Sequence, residues 1–154
     1  MRLGVLLEPE GENRVAIVPN SISKLGKVGF EIIVESGAGK GSNYSDAQYV
    51  SKGAKVGPRD AAMAADILVT IHMPDASEMR SGQIVACVAD PFRHPDRVRQ
   101  CMDNGVTLLS MDMIPRRLSR AQSMDVNSSQ DNLAGYKAVL MGADYISKAI
   151  PMMT

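Results

Sequence analysis

Tryptophan is absent from the 154 residues, and phenylalanine, cysteine and histidine occur only twice each. With so few rings available, part of the interior must be filled by the eleven methionines, flexible side chains that specify packing less tightly than branched ones. Two cysteines are too few for a disulfide scaffold, and neither Cys87 nor Cys101 lies in a CxxC or Cys/His cluster. Both are read as reduced core thiols, Cys87 in a buried strand (QIVACVAD) and Cys101 in a helix (PDRVRQCMDNG). His72 and His94 stand far in sequence from other ligand types, so each is read as a histidine at a loop end, and no metal site is expected. Charge of one sign is missing too, because Lys plus Arg and Asp plus Glu both count 17. No net field therefore draws the chain to nucleic acid or to an anionic membrane. No apolar run approaches the roughly 20 residues needed to cross a bilayer. The opening MRLGVLLEPEG meets charge at Glu8 and lacks the apolar region and cleavage site of a secretory signal. What remains is a soluble chain of cytosolic type, without direct membrane insertion, long enough to bury roughly 70% of the surface its unfolded form exposes.

Short runs rich in Val, Ile and Leu alternate with segments of helical period. That alternation predicts an α/β fold, an open and mostly parallel sheet of flavodoxin/Rossmann-like type. Strands are expected at Arg2 to Leu7, Glu31 to Glu35, Ile67 to Ile71, Gln83 to Val88 and Val106 to Ser110, with a weaker one near Lys55. The continuous apolar character of DILVTI and IVACVA suits strands covered on both faces. Between them, PNSISKLGKVG carries Pro19 and Asn20 as start signals and Gly29 as a stop. SDAQYVSKG repeats the scheme with Ser45 as N-cap, and PRDAAMAA and HPDRVRQCMDNG supply two further helices. From about Ser128 to Ile150 the residues Leu133, Tyr136, Val139, Leu140, Ala143, Ile146 and Ile150 recur at helical spacing, with Pro151 as the stop. A helix of that length, roughly 30 Å, exceeds what a small sheet needs, so it is expected to bridge to a second domain or to pair with a partner chain. The expected division is residues 1–127 as the α/β domain and residues 128–154 as the long C-terminal helix.

The stretch ESGAGKGSNYSD resembles a phosphate-binding loop but fails its spacing. Lys40 is followed by Gly41, where a Walker A loop needs Ser or Thr, and the glycines at 37, 39 and 41 do not match G-x-G-x-x-G. A structural turn is the expected role, and the chain carries no nucleotide fingerprint of its own.

The most unusual segment is MIPRRLSRAQSMDVNSSQDN, residues 113–132. It follows a predicted strand and so belongs at the carboxyl end of the sheet, where ligands of open α/β folds gather. Arg116, Arg117, Arg120, Gln122, Asp125 and the polar residues Ser119, Ser123, Ser128, Ser129 and Asn132 crowd into it with few apolar anchors. One reading is a solvated loop with Asp125 or Ser128 capping the helix behind it. The other is a polar clamp in which an Arg–Asp pair fixes the loop while an amide and a hydroxyl reach a polar ligand.

The stretches RVAIVP, VESGAGKGSNYSDAQY and especially PRRLSRAQSMDVNSSQDNLAGYKAV resemble the first domain of the NAD-binding (alpha) subunit of proton-translocating NAD(P) transhydrogenase. The likeness covers nearly all of the chain, in the family's order. Alanine dehydrogenase is related, sharing the RVA-x-x-P opening and the ESGAG turn. The resemblance implies that the polar loop holds the nicotinamide ring of NAD(H). It implies further that Arg117 and Asp125 shape that side of the site, that Gln122 reaches toward NADP(H) on a partner domain, and that Ser128 contacts the carboxamide. It also implies direct hydride transfer from NADH to NADP+ coupled to proton translocation, a homodimer, and NADP-binding and membrane-embedded partner subunits. The chain would then be cytoplasmic and peripheral to the inner membrane. In such a reaction the cofactors carry the chemistry and the protein supplies position, which fits a loop without histidine or cysteine.

Alanine dehydrogenase places a substrate-binding lysine after the strand matching DILVTI and a catalytic histidine after the strand matching QIVACVA. Here those places read HMPD and DPFRHPD, with His72 near the lysine's position and His94 several residues past the histidine's. Arg14 remains, but an arginine alone cannot bind and deprotonate an amino acid. An amino-acid dehydrogenase domain is thus the first alternative, and a non-catalytic dimerisation module using the long helix is the second. Asn127 and Asp131 stand where the family carries a leucine and a small residue, and the double Arg116-Arg117 leaves open which arginine takes the loop role. The family's Rossmann domain and the late segment that completes its first domain are expected beyond Thr154, and the sequence lacks both. Four or so hydrogen bonds at about 1 kcal/mol each give millimolar affinity at best, so the isolated chain is expected to bind NAD(H) weakly or not at all and to turn nothing over.

Overall fold

The computed structural model describes residues 1–148. The chain divides into two compact units, Met1–Met111 and a second beginning at Asp112. The first holds six strands, β1 (Arg2–Val5), β2 (Glu31–Glu35), β3 (Lys55–Gly57), β4 (Ile67–His72), β5 (Ile84–Val88) and β6 (Thr107–Ser110). All neighbours run parallel, in the order β3-β2-β1-β4-β5-β6. This is the Rossmann-like α/β arrangement expected from the sequence, and the weak strand at Lys55 is one of its edges. The first strand stops at Val5, two residues short of the expected Leu7, because the Leu7 N–H turns to Glu35 Oε2 at 2.8 Å instead of entering the ladder. The expectation of strands buried on both faces fails for β4 and β5, whose side chains alternate between buried and half-buried.

The helices form where the punctuation placed them. α1 (Pro19–Lys27) starts with proline in its first turn, and Gly29 follows its end at φ 95°, a left-handed conformation that suits glycine. α2 (Asp46–Ser51) is capped by Ser45 in a reciprocal box with Gln48, which satisfies two orphan backbone donors. α3 (Arg59–Met63) and α4 (Pro95–Asp103) complete the first unit.

In-register neighbours share a face, so Leu3 and Val5 lie beside Ile67 and Val69 on one side of the sheet. There Leu3, Val5, Ile32 and Val34 pack with Ile22 of α1 and Tyr49 of α2 in one core cluster. Tyr49 is fully buried, and its hydroxyl donates to the Ile17 carbonyl at 2.9 Å. Burial holds its phenol neutral, pushing the pKa up to about 12. The second cluster lies on the opposite face, where Leu68, Val85 and Cys87 meet Ala65, Cys101 and Val106. Cys87 and Cys101 are buried and not joined in a disulfide.

α3 crosses β1 so closely that a side chain on Gly4 would overlap the Ala62 carbonyl. The ESGAGKG stretch is also tightly constrained. A Cβ on Gly39 would lie 2.7 Å from the Tyr49 ring, and one on Gly41 2.8 Å from the Asn13 backbone.

In the second unit a short 3-10 turn (Gln122–Met124) leads into α5 (Val126–Tyr145). The helix begins two residues before the expected Ser128. It closes at Ile146, whose N–H returns to the Gly142 carbonyl; the expected end at Ile150 and the stop at Pro151 lie outside the described residues. No described helix is long and apolar enough to cross a membrane.

Gly4→Ala is expected to lower unfolding stability by about 1–3 kcal/mol, the usual cost of overpacking, because the obstacle is backbone. The same change at Gly26, inside α1, where an added Cβ would meet nothing within 4 Å, should be neutral or stabilise by up to about 1 kcal/mol. Urea denaturation of both variants reads the two signs, and equal effects would contradict the close crossing.

Candidate functional site

Two constellations carry chemistry, one in each unit. In the first unit the strand order reverses between β1 and β4, and the connections that follow them leave in opposite directions, so a crevice forms at their carboxyl ends, the usual ligand position in open α/β sheets. A cleft of about 310 Å³ lies there, lined among others by Glu8, Glu35, Arg59, Thr70, His72 and Glu78. Glu8 follows the end of β1 and is only 6% exposed. A buried carboxylate must find donors, and Glu8 takes them from the end of β4. The Thr70 hydroxyl donates at 2.9 Å, the Ile71 N–H at 2.6 Å and the His72 N–H at 3.0 Å. His72 Nδ1 stands 3.2 Å from Glu8 Oε2 and 4.0 Å from Glu12 Oε2.

Arg14 clasps Glu12 through Nε at 2.8 Å and Nη2 at 2.6 Å. Those hydrogen bonds are the main reason that the Glu12 pKa falls from the ordinary 4.5 to about 2. On the other wall Arg59 bridges Glu35 at 3.3 Å and Glu78 at 2.7 Å. Sequence reasoning singled out Arg14 and His72 and missed Glu8, Glu12, Glu35, Arg59, Thr70 and Glu78. The available signal was an acidic residue directly after an apolar strand, and a threonine inside another. Which strands are neighbours, and so which ends share a crevice, could not be read from residue order. His94 flanks the start of α4. Among the described residues no group of His, Cys, Asp and Glu could hold a metal ion.

In the second unit the segment singled out by sequence folds around the start of α5. Asp125 is the N-cap; its Oδ1 accepts the Ser128 N–H at 3.0 Å, and its Oδ2 accepts the Ser128 hydroxyl at 2.5 Å. These bonds, the hydroxyl's foremost, hold the Asp125 carboxyl below the usual aspartate range. The arginine beside Asp125 is Arg116, at 3.9 Å, which also reaches Asp131 at 3.3 Å. The ion pair therefore joins the loop to the first turns of the helix through Asp131, one of the two positions expected to depart from the family pattern. Asn127, the other, donates its side-chain amide to the Asp112 carbonyl at 3.0 Å. Arg117 and Gln122 are exposed. The structure thus brings Asp125 and Ser128 into contact and leaves the side chains of Arg117 and Gln122 in solvent-accessible space.

The profile described as "Alanine dehydrogenase/PNT, N-terminal domain" matches residues 4–134. The chain is 41% identical over 136 residues to the NAD(P) transhydrogenase subunit alpha of Cereibacter sphaeroides, covering 85% of this chain and 26% of that protein. Among solved structures it is similar to a transhydrogenase from Sinorhizobium meliloti, with a TM-score of 0.92 and 39% identity over 99% of this chain and 47% of that one. An L-alanine dehydrogenase shares the fold with a TM-score of 0.72 and 25% identity over 79% of this chain and 34% of that one. The chain thus spans about a quarter of the curated relative and about half of the solved one.

Because the folded pKa of Glu12 lies below the ordinary 4.5, the stability it contributes is fully present above that value. It is lost as pH falls from about 4.5 toward about 2. Thermal melts of Glu12→Gln should show a shallower loss than wild type across that acid window. Parallel curves for the two proteins would mean that Arg14 does not hold Glu12 in solution.

Proposed function

The chain belongs to the alanine dehydrogenase/PNT N-terminal domain family, and from that premise we propose that it is the front part of the NAD(H)-binding component of a nicotinamide nucleotide transhydrogenase. The observation that carries this reading over the amino-acid dehydrogenase is the polar segment at 113–132. It supplies donors and acceptors for a carboxamide and an anion but no histidine, lysine or cysteine to exchange protons with a substrate. The closer structural likeness to a transhydrogenase than to an alanine dehydrogenase points the same way.

The donor set fits a nicotinamide group. Ser128 has its proton committed to Asp125 at 2.5 Å, so its oxygen has lone pairs to offer and would accept from the carboxamide amino group. Asp125 acts through Ser128, fixing the hydroxyl's rotamer and the start of α5. Arg117, exposed beside the loop, is free to meet a carboxamide oxygen or a phosphate, and Gln122 is free to reach toward NADP(H) held by a facing partner domain. Arg116 holds the loop to the helix, which leaves the ligand role to Arg117. Bound NAD(H) supplies the hydride-carrying ring, and the chain's residues orient that ring and keep water from it. On this reading the component forms a homodimer and works with NADP-binding and membrane-embedded subunits, at the cytoplasmic side of a membrane it does not itself enter. Proton translocation belongs to those partners, and this chain alone turns nothing over.

Grafting the chain in place of the matched 136 residues of the Cereibacter sphaeroides alpha subunit should preserve NADH-to-NADP+ hydride transfer in the assembled enzyme. Gln122→Ala and Ser128→Ala in that graft should each lower turnover about tenfold or more, the scale on which misplaced reactants lose rate. A graft that assembles with normal NADH affinity and is indifferent to both substitutions would remove the polar segment from the reaction.

A further inference from the structure

The loop proposed to meet nicotinamide runs from Asp112 to Asn127, inside the second unit. Its own backbone hydrogen bonds include local turns, from the Leu118 N–H to Pro115, from the Ala121 and Gln122 N–H groups to Leu118, and from the Met124 N–H to Ala121. Such turns bend the path but do not hold its two ends together. Side chains do that. Asn127, in the first turn of α5, gives its side-chain amide to the Asp112 carbonyl at 3.0 Å, 15 residues back. A carbonyl can only accept, so the nitrogen end of the Asn127 amide must face it. Arg116 adds a second tie, to Asp125 at 3.9 Å and to Asp131 at 3.3 Å.

The two ties differ in weight. Arg116 and Asp131 have their side chains 55% and 72% exposed, and a pair of that kind contributes little and weakens further in salt. Asn127 and Asp112 are both half-buried, and a neutral hydrogen bond sheltered from water is not screened. Closing a flexible loop costs conformational entropy. Where the free protein has already met that cost, a ligand that grips the loop does not meet it again. Arg117 and Gln122 lie between the tied ends, and Ser128 follows Asn127 directly. Leucine, the residue expected at 127 from the family pattern, has no donor, so a chain following that pattern could not close the loop in this way.

We propose that Asn127 is a positioning residue: its bond to Asp112 closes the 112–127 segment before NAD(H) arrives and so sets Arg117, Gln122 and Ser128 at the spacing that the nicotinamide end needs. The inference rests on the nicotinamide reading and adds to it the residue that pre-forms the loop. Asn127 itself touches no ligand. Its effect is on affinity, because a loop left open in the free protein regains the same contacts once the cofactor has ordered it, and hydride transfer then proceeds from the same geometry.

Asn127→Ala and Asn127→Asp both remove the donor yet suit the first turn of a helix. Aspartate keeps the shape and alanine adds no charge, so an effect shared by both belongs to the lost hydrogen bond. In the Cereibacter sphaeroides graft each should raise KM for NADH about fivefold, the weight of one neutral hydrogen bond, and change kcat by less than about twofold. NMR relaxation on the 154-residue chain needs no ligand. There the backbone order parameters of residues 113–124 should fall from roughly 0.8 to below about 0.6 in both variants, with helix content retained by circular dichroism. An unchanged KM, a fall in kcat in its place, or order parameters that do not move overturns the proposal. Where Gln122→Ala and Ser128→Ala slow the graft but the Asn127 variants leave its KM alone, the present inference falls by itself. Where all four are without effect, the nicotinamide reading falls with it.

Discussion

The carboxylate of Glu8 is the constraint on which the crevice of the sheet depends. Burying a charge beside apolar strands costs several kcal/mol unless its lone pairs are used, and Glu8 uses them on the end of β4, where Thr70, Ile71 and His72 all donate. β1 and β4 are neighbours in the sheet, and their following chains leave in opposite directions, so nothing in the ladder itself holds the two exits together. Glu8 does so. Glu35 repeats the device on the other side, accepting the Leu7 N–H from the end of β1 while Arg59 balances its charge. Two carboxylates thus pin three strand ends, and the crevice between them has a defined rim before any ligand arrives.

Beneath that rim the close approach of α3 to Gly4 plays a similar part. The sheet can carry helices at close range because one position in the first strand has no side chain, and the Ala62 carbonyl occupies the space. Packing there and hydrogen bonding at the rim act on the same strand. This makes β1 the element from which displacement would spread furthest.

Much of this was legible in the residues, for identifiable reasons. Helix starts at Pro19 and Ser45 and the stop at Gly29 are local chemistry, settled within four residues of chain, and the structure has them where the punctuation put them. The parallel sheet followed from alternation of apolar runs and helical segments. What could not be read was anything set by distant pairing. Strand order decides that Glu8 meets Thr70 across 62 positions, and only the folded chain shows it. The end of β1 was overestimated because Leu6 and Leu7 are apolar, while what ends the strand is a hydrogen bond to a residue 28 positions away. For the polar segment, the sequence singled out these residues as unusual but could not choose between Arg116 and Arg117 beside Asp125. The choice follows from the reach of Arg116 to both Asp125 and Asp131.

The functional account therefore rests on a division of labour. Structural residues tie the loop to its helix, with Arg116 bridging to Asp131 and Asp125 capping α5, while in the proposed reading Arg117, Gln122 and the lone pairs of Ser128 are the groups that meet a nicotinamide. The direct measurement is a heteronuclear NMR titration of the chain with NADH, following backbone amides residue by residue. The account expects saturable, millimolar-range shifts centred on residues 113–128. Saturable shifts at about 10 mM NADH that are confined to other parts of the chain would contradict it.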